Sequence, residues 1–360
     1  MLHYFNPGHE EAVLNGSHHF QPPANHVRMQ RELAFLPVWY ASADDFVLVH
    51  EPLPADLGSG LATELATAIR MDELAANASR LAHQTVALWG ISPQSCHFLK
   101  QLSDKHHLHW TIPEWKDEYR TLGSRQTAHT VLSRLIEAIP DIDCALLPQF
   151  ISNFDAIEQI ILNTTHKMLI KAPYSSSGRG LVWLPPGKIA QSERQILKGM
   201  LRKQSCVSLE RALDKQLDFS MHFETTPAKT TAFIGYSLFQ TNAKGAYEHS
   251  LLLPQDTIKQ RLTAIISNDL LEKVKHHLLQ IITQIYAPHY QGNIGVDMLI
   301  YAADNRLHLH PCVEINMRKS MGYLALRLFE GCLPPDFQGK FHVGYDKENG
   351  RYRAYIVRAN

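Results

Sequence analysis

Two apolar runs near residue 300, each carrying acidic side chains, constrain the fold of this chain more than any other feature. The first run, Gly295–Tyr301, contains Asp297, and the second contains the pattern Glu314-x-Asn316-x-Arg318. Side chains alternate between the two faces of a strand, so Glu314, Asn316 and Arg318 are predicted to share one face. If the first run is the neighbouring strand, two carboxylates and an amide oxygen converge on one place.

Hard oxygen ligands of this kind are those that Mg²⁺ prefers, commonly together with nucleotide phosphates. Arg318 would stand beside such a site, where a guanidinium can clamp a phosphoryl or carboxylate group. The alternative is a half-buried strand pair in which Arg318 is the ion-pair partner of the acids. Acidic residues are uncommon in apolar strands and need a partner there, which both interpretations supply.

A second segment combines a strand that ends in Lys171 with a Ser- and Gly-rich stretch, Ser175–Gly180, and another apolar run. Gly and Ser allow backbone N–H groups to approach an anion closely, and Lys171 adds a positive charge. This is not a P-loop, because no Gly-Lys-Ser/Thr opens a helix here. The alternative is an ordinary hairpin loop, for which Ser/Gly clusters are typical.

Taken together, in this order and spacing, the two segments resemble the ATP-grasp superfamily over roughly residues 120 to 330. The resemblance implies an adenine-binding hinge at Val207–Leu213, with ATP and Mg²⁺ (or Mn²⁺) as cofactors. It also assigns the expected roles. The metal ligands are Asp297, Glu314 and Asn316; the catalytic residues are Lys171 and Arg318; the nucleotide-binding residues are Arg125, Lys171, Ser175, Ser176, Ser177, Gly178, Glu210, Arg211, Leu213 and Asp218.

Two departures from the family pattern concern phosphate binding. The family often has Asp-Lys-x-x-Thr where this chain reads Gly123-Ser124-Arg125-Gln126-Thr127. Arg125 could replace that lysine, or Ser124 could be an N-cap followed by a solvated arginine. The Ser/Gly stretch also contains Arg179, which could face phosphate or solvent.

The fold class expected is α/β with α+β lobes. We expect an N-terminal parallel-sheet α/β domain at residues 1–105, since short apolar strands alternate there with helical patterns. The resemblance places a first ATP-grasp lobe at 106–205 and a second lobe, with hinge and metal site, at 206–360. A helix is predicted over 61–82 and a linker over 104–120.

Polar residues follow the first predicted strand, namely Asn6, His9, Glu10 and Asn15. They could line a substrate pocket, or they could belong to a turn and a short capped helix. His308 and His310 share the parity of Glu314. A transition-metal site there is one interpretation, and ordinary strand packing is the favoured alternative.

Composition argues against several classes of function. Lys plus Arg and Asp plus Glu are equal at 35 each, so no basic field predicts nucleic-acid or membrane binding. No apolar run approaches the roughly 18 residues that span a bilayer, and no signal peptide is apparent. The five cysteines are scattered without a Cys-x-x-Cys motif, so a reducing cytoplasm is expected.

The function expected from the resemblance is a Mg²⁺-dependent ligase. Such an enzyme activates a carboxylate as an acylphosphate and joins it to an amine or similar nucleophile, with Arg318 steadying the acceptor. The partners would be small-molecule or peptide carboxylates and amines. Members of the family are often homodimers, so a homodimer is the expected oligomeric state. A kinase on the same fold and a non-catalytic ATP-binding module remain the alternatives, and the sequence does not identify the substrate.

Overall fold

The computed structural model describes residues 1–55, 57, 61, 63–175, 178, 180–242 and 245–359. The part of the chain that it describes contains three β-sheets, two of four strands and one of seven. The α/β class and the N-terminal parallel sheet expected from the sequence are both confirmed.

The N-terminal unit is a four-stranded parallel sheet flanked by helices, in the strand order β3-β2-β1-β4. Its strands are short and apolar because both faces are covered. Its elements are β1 (Leu2–Tyr4), α1 (His9–Asn15), α2 (Ala24–Glu32), β2 (Phe46–Val49), β3 (Thr67–Arg70), α3 (Ala78–Leu81), β4 (Val86–Leu88) and α4 (Pro93–Lys105).

Two expectations about this unit were wrong. The helix predicted over 61–82 is replaced by strand β3, a 3₁₀ turn and the short α3, because Thr67–Arg70 pairs in parallel with β2. Tertiary pairing overrides local helix propensity there. The segment predicted as a linker is partly core: Trp110 is 8% exposed and its indole donates to the Leu81 carbonyl at 2.8 Å.

The first lobe is a four-stranded antiparallel sheet in the order β5-β8-β6-β7, with two helices packed on it. Its strand β8 lies beyond the predicted boundary at residue 205, so this sheet includes the hinge segment. The elements are α5 (Glu118–Leu122), α6 (Arg125–Ala138), β5 (Gln149–Ile151), α7 (Phe154–Asn163), β6 (Met168–Lys171), β7 (Leu181–Leu184), α8 (Gln191–Gln204) and β8 (Val207–Arg211).

The second lobe is a seven-stranded antiparallel sheet in the order β13-β12-β9-β10-β11-β14-β15. Its elements are β9 (Asp214–Thr225), β10 (Thr231–Thr241), β11 (Tyr247–Leu252), α9 (Gln255–Thr263), α10 (Asn268–Ile285), β12 (Gly292–Ala303), β13 (Arg306–Asn316), α11 (Met321–Cys332), β14 (Gly339–Asp346) and β15 (Arg351–Arg358).

Helix α10 shows how the sequence builds the core of the second lobe. Ser267 caps it by accepting from the Leu270 amide, which satisfies one of the helix's orphan donors. Leu271, Val274 and Leu278 follow at intervals of three and four residues and are fully buried. Together with α6, this helix covers the sheet face behind β9 and β12, so the strands that carry the acidic residues rest on a packed core.

A separate apolar cluster joins the N-terminal unit to the second lobe. Leu36 and Trp39 from the N-terminal unit pack with Leu324 and Leu328 of α11 and with Phe341 of β14. All five side chains are at most 2% exposed. The carboxyl ends of β1 and β4 are thereby held against the second lobe, near the start of α11.

Candidate active site

Two carboxylates lie opposite each other at the centre of the cleft between the lobes. Asp297 on β12 pairs in register with Glu314 on β13. Asp297 accepts hydrogen bonds from the Ser220 hydroxyl at 2.6 Å and from the Asn316 amide at 2.9 Å. Burial, followed by the negative charge of Glu314, raises the pKa of Asp297 to about 7. Two acids are thus held close together, at a cost that a cation would relieve.

The donor set fits a hard divalent cation. Asp297 and Glu314 offer carboxylate oxygens, and the Asn316 amide nitrogen points to Asp297, which leaves the Asn316 amide oxygen as a further acceptor. Oxygen donors of this type are suited to Mg²⁺ or Mn²⁺. Among the described residues, no group of three or more His, Cys, Asp or Glu side chains has the arrangement of a metal site.

Arg125 reaches the carboxylates from the start of α6. Its Nη2 lies 2.6 Å from Glu314 Oε2 and its Nε donates to the Ala172 carbonyl at 3.1 Å. The Arg125 side chain is only 10% exposed. The alternative of a solvated first-turn arginine is therefore wrong, and Arg125 joins the first lobe to the acid pair of the second.

Lys171 and Glu210 form an ion pair within the first lobe. Lys171 ends β6, and Glu210 lies on the adjacent strand β8. Their side chains are 6% and 17% exposed, respectively. Asp218 accepts from Thr241 at 2.8 Å and pairs with Lys215 at 2.5 Å.

Two described residues of the Ser/Gly stretch, Ser175 and Gly178, line the cleft. Ser175 Oγ lies 3.4 Å from Arg125 Nη2. Gly178 has a φ of +73°, and a Cβ there would come within 2.8 Å of the Ala246 amide nitrogen on the second lobe. This close approach explains a glycine at that position. The predicted residues Ser176 and Ser177, and Arg179 beside them, lie outside the described residues.

Arg318 is tied to the N-terminal unit. Its Nε forms an ion pair with Glu10 on α1, and its Nη1 donates to the Lys319 carbonyl at 3.0 Å. Lys319 in turn donates to the Leu88 carbonyl at the end of β4, at 2.8 Å. Burial without a close carboxylate lowers the pKa of Lys319 to about 8.

The other polar residues after β1 serve the fold. Asn6 donates to the Gly90 carbonyl at 2.7 Å and accepts from the Gly90 amide at 3.1 Å. His9 contacts the Ile91 carbonyl at 3.0 Å, and burial lowers its pKa to about 4. Asn15 accepts from the Ser17 amide at the end of α1. Of the four residues proposed for a substrate pocket, Glu10 contacts a cleft residue.

The two histidines on strand β13, His308 and His310, have different surroundings. His310 lies in the cleft near Lys171, and burial lowers its pKa to about 3. His308 stacks on Tyr301 instead, with ring centroids 5.5 Å apart. The structure therefore gives no support to a transition-metal site built on this pair, and packing accounts for both.

These residues divide one continuous cleft into two halves that meet at Arg125, Asp297 and Glu314. The charged half is lined by Lys171, Glu210, Arg211, Leu213, Lys215 and Asp218. The apolar half is lined by Phe5, Pro7, Met29, Trp89, Tyr247 and Met321, together with Arg318 and Asn316. Only the charged half was predicted in detail from the sequence.

Sequence reasoning missed Ser220 and Thr241, which hold Asp297 and Asp218. A signal for Ser220 did exist, because it follows Asp218 by two residues and so shares its strand face. Thr241 has no comparable signal, since its contact depends on the pairing of β10 with β9.

Comparisons with known proteins give distant structural similarity only. No family model and no curated protein matches the chain. It is similar to N5-carboxyaminoimidazole synthetase from Staphylococcus aureus complexed with ADP, at 14% identity and a TM-score of 0.49, over 100% of this chain and 93% of that one.

Two further solved structures are similar at the same level. Biotin carboxylase from Campylobacter jejuni, in a β-γ-ATP complex, is 11% identical over 97% of this chain and 77% of that one, with a TM-score of 0.49. A suspected ATP-grasp superfamily protein from Archaeoglobus fulgidus is 14% identical over 100% and 99%, with a TM-score of 0.43. Similarity this distant does not indicate an activity, so an activity can be inferred only from the geometry of the cleft.

No helix in the described ranges combines the length and the apolar character needed to cross a membrane.

Proposed function

We propose that this chain is a metal-dependent ligase of the ATP-grasp type, which uses ATP to activate a carboxylate and joins it to an amine or similar nucleophile. The observation that carries the proposal is the opposed pair Asp297 and Glu314, with Asn316 beside them. This pair lies where cationic side chains of the first lobe and Arg318 of the second meet in one cleft.

The charged half suits a nucleotide. Lys171 and Arg125, which line this half, would supply positive charge for phosphates, and Asp218 would accept from ribose hydroxyls. Glu210 and its neighbours Arg211 and Leu213 line the side expected for the base. Mg²⁺ held by Asp297, Glu314 and Asn316 would neutralise charge on the transferring phosphoryl group.

In the first step, a carboxylate oxygen of the acceptor would attack the γ-phosphorus, and the bond from that phosphorus to the ADP oxygen would break. This gives ADP and an acylphosphate. In the second step, the nucleophile would attack the acyl carbon, phosphate would leave with the C–O electron pair, and the nucleophile would lose its proton to solvent. Arg125 and Arg318 flank the acids and would hold the negative charges in place.

The test is titration calorimetry of ATP with and without Mg²⁺, on the wild type and on the double variant Glu314→Ala with Asn316→Ala. We expect Mg²⁺-dependent ATP binding that the double variant loses. A double variant on the exposed surface, Glu330→Ala with Asn163→Ala, is the matched control and should bind ATP as the wild type does. Failure of the wild type to bind ATP would overturn the proposal.

Product analysis then separates ligase from kinase. A ligase releases phosphate only when both a carboxylate and a nucleophile are present, whereas a kinase forms a stable phosphorylated product from a single acceptor.

A further inference from the structure

The apolar half of the cleft has a composition unlike that of the charged half. Phe5, Trp89 and Met29 come from the N-terminal unit, and Tyr247 and Met321 come from the second lobe. Phe5 and Trp89 are at most 3% exposed and their rings pack edge to face, 5.0 Å apart. These two rings belong to the packed core behind the cavity, whereas Met29, Tyr247 and Met321 pack against that core and are partly exposed.

Charges in the apolar half are few. Among the described residues that line it, the acidic side chains are Asp297 and Glu314, which lie at the boundary with the charged half. Glu10 is already engaged by Arg318. A substrate ammonium group deep in this half would therefore have no free carboxylate to pair with, and burying an unpaired charge is costly.

Arg318 is a ready anchor for an anion. Its Nε and Nη1 are occupied by Glu10 and by the Lys319 carbonyl, while its Nη2 has no hydrogen-bond partner among the described residues. The side chain is 15% exposed and lines the cavity. A carboxylate bound there would lie in the same cavity as Asp297 and Glu314, and its substituent would extend along the apolar wall.

We propose that the acceptor is a monocarboxylate with an apolar or aromatic body and no charged amino group, bound between Arg318 and the wall formed by Phe5, Met29, Trp89, Tyr247 and Met321. This inference rests on the proposed ligase function and names the substrate class of that same site. Its selectivity arises from burial of apolar surface together with exclusion of ammonium groups.

The experiment measures acid binding directly, by calorimetry, on protein saturated with Mg²⁺ and a non-hydrolysable ATP analogue. The probes are acetate, butyrate, hexanoate and 3-phenylpropionate, compared with hexanedioate and 6-aminohexanoate, which carry a charge at the far end of the hexanoate chain. Affinity should rise about fourfold for each added methylene until the cavity is filled. The two charged analogues should bind at least about tenfold more weakly than hexanoate.

A pair of variants on helix α2 locates the effect. Met29→Glu places a carboxylate in the apolar half, so hexanoate should bind about tenfold more weakly and 6-aminohexanoate should gain relative to it. Val27→Glu on the same helix is the matched control, because Val27 is 49% exposed and does not line the cleft. Met29→Leu keeps the wall apolar and should retain the preference for hexanoate.

The outcomes separate the two proposals. If the ATP analogue does not bind, the proposed function fails, and acid titrations without nucleotide still test the acceptor class. If the acids bind with no dependence on chain length, or if the charged analogues bind as well as hexanoate, the inference fails while nucleotide binding stands. Absence of saturable binding by every apolar acid also overturns it.

Discussion

The two halves of the cleft differ in the partners that stabilise their buried charged side chains. In the charged half, two lysines are paired with acids across short distances, Lys171 with Glu210 and Lys215 with Asp218. At the apolar half, Arg318 is fixed by Glu10 of the N-terminal unit, and the neighbouring Lys319 is fixed by a backbone carbonyl of that unit. A charged ligand can exchange partners in the first half, whereas the second offers few charges to exchange.

This difference has a consequence for binding. Arg125 lies at the boundary and pairs with Glu314, so a cation bound by Glu314 would compete with Arg125 for the same carboxylate. Arg125 would then be released toward phosphate oxygens, to which a guanidinium binds well. The charged half thus contains both signs of charge and can exchange ion-pair partners when a ligand binds, while the apolar half gains chiefly by excluding water.

The largest effect should come from removing the acid shared by both halves. Glu314→Ala deletes a proposed metal ligand and also leaves Arg125 without its partner, so turnover should fall by about a thousandfold. Measurement of ADP formation at saturating Mg²⁺ checks this. Glu330→Ala, an exposed acid on α11, should leave the rate unchanged. Near-normal turnover in Glu314→Ala would show that the boundary acids are structural charges.

The next effect tests whether pairing within the charged half stabilises the fold. Lys171→Met leaves Glu210 largely buried without a partner and should lower the free energy of unfolding by about 3 kcal/mol. Removing both charges, with Lys171→Met and Glu210→Gln, should cost about 1 kcal/mol or less, because no charge is then left unpaired. Urea denaturation gives both values.

The surface pair Arg327 and Glu330 is the control for that cycle, since its side chains are 31% and 38% exposed. Breaking it should change stability by about 0.5 kcal/mol or less. The single variant Glu210→Gln completes the cycle. If the losses of unfolding free energy in Lys171→Met and Glu210→Gln simply add in the double variant, the pair is not coupled and the contrast between the two halves weakens.

A pH-dependent effect should mark Lys319, the residue after Arg318. Lys319 has a carbonyl but no close carboxylate, and burial lowers its pKa from the ordinary 10.5 to about 8. Between pH 8 and 10.5 the unfolded state therefore binds more protons than the folded state, so stability rises with pH across that window. Below pH 8 the charged lysine is a constant penalty.

The variant Lys319→Met lacks this titration. Relative to the variant, the wild type should gain about 2 kcal/mol of unfolding free energy between pH 7 and pH 10.5, after a discount for partial exposure. Urea denaturation of both proteins at the two pH values measures the difference. The exposed Lys105→Met is the control and should give a difference independent of pH. A flat difference for Lys319→Met would mean that this lysine reaches solvent or an acid.

The contrast also explains what the sequence could predict. Asp297, Glu314 and Asn316 lie on two adjacent strands whose apolar runs and alternation are local, so their meeting was predictable. Lys171 and Glu210 were predicted from a resemblance that depends on residue spacing. The α/β class followed in the same way from alternating strand and helix patterns.

The apolar half could not be predicted in this way. Phe5, Met29, Trp89 and Met321 come from separate segments, and an apolar side chain in a strand or helix pattern indicates core as readily as a binding wall. The Glu10–Arg318 pair joins residues 308 positions apart, and no local pattern specifies such a contact. The helix predicted over 61–82 failed for the same reason, since pairing with β2 decides that segment.

The smallest effect should come from loosening the tie between Arg318 and the N-terminal unit. Glu10→Gln keeps the size of the side chain but removes the charge that fixes Arg318 Nε. The guanidinium should then hold the acceptor less well, and the KM for the carboxylate should rise about tenfold while the KM for ATP stays unchanged.

Steady-state kinetics with each substrate varied in turn measures both constants, and Glu11→Gln on the same helix is the matched control. Equal changes in both KM values would show that Glu10 supports the whole cleft, whereas a change confined to the carboxylate would assign Arg318 and its partner to the apolar half.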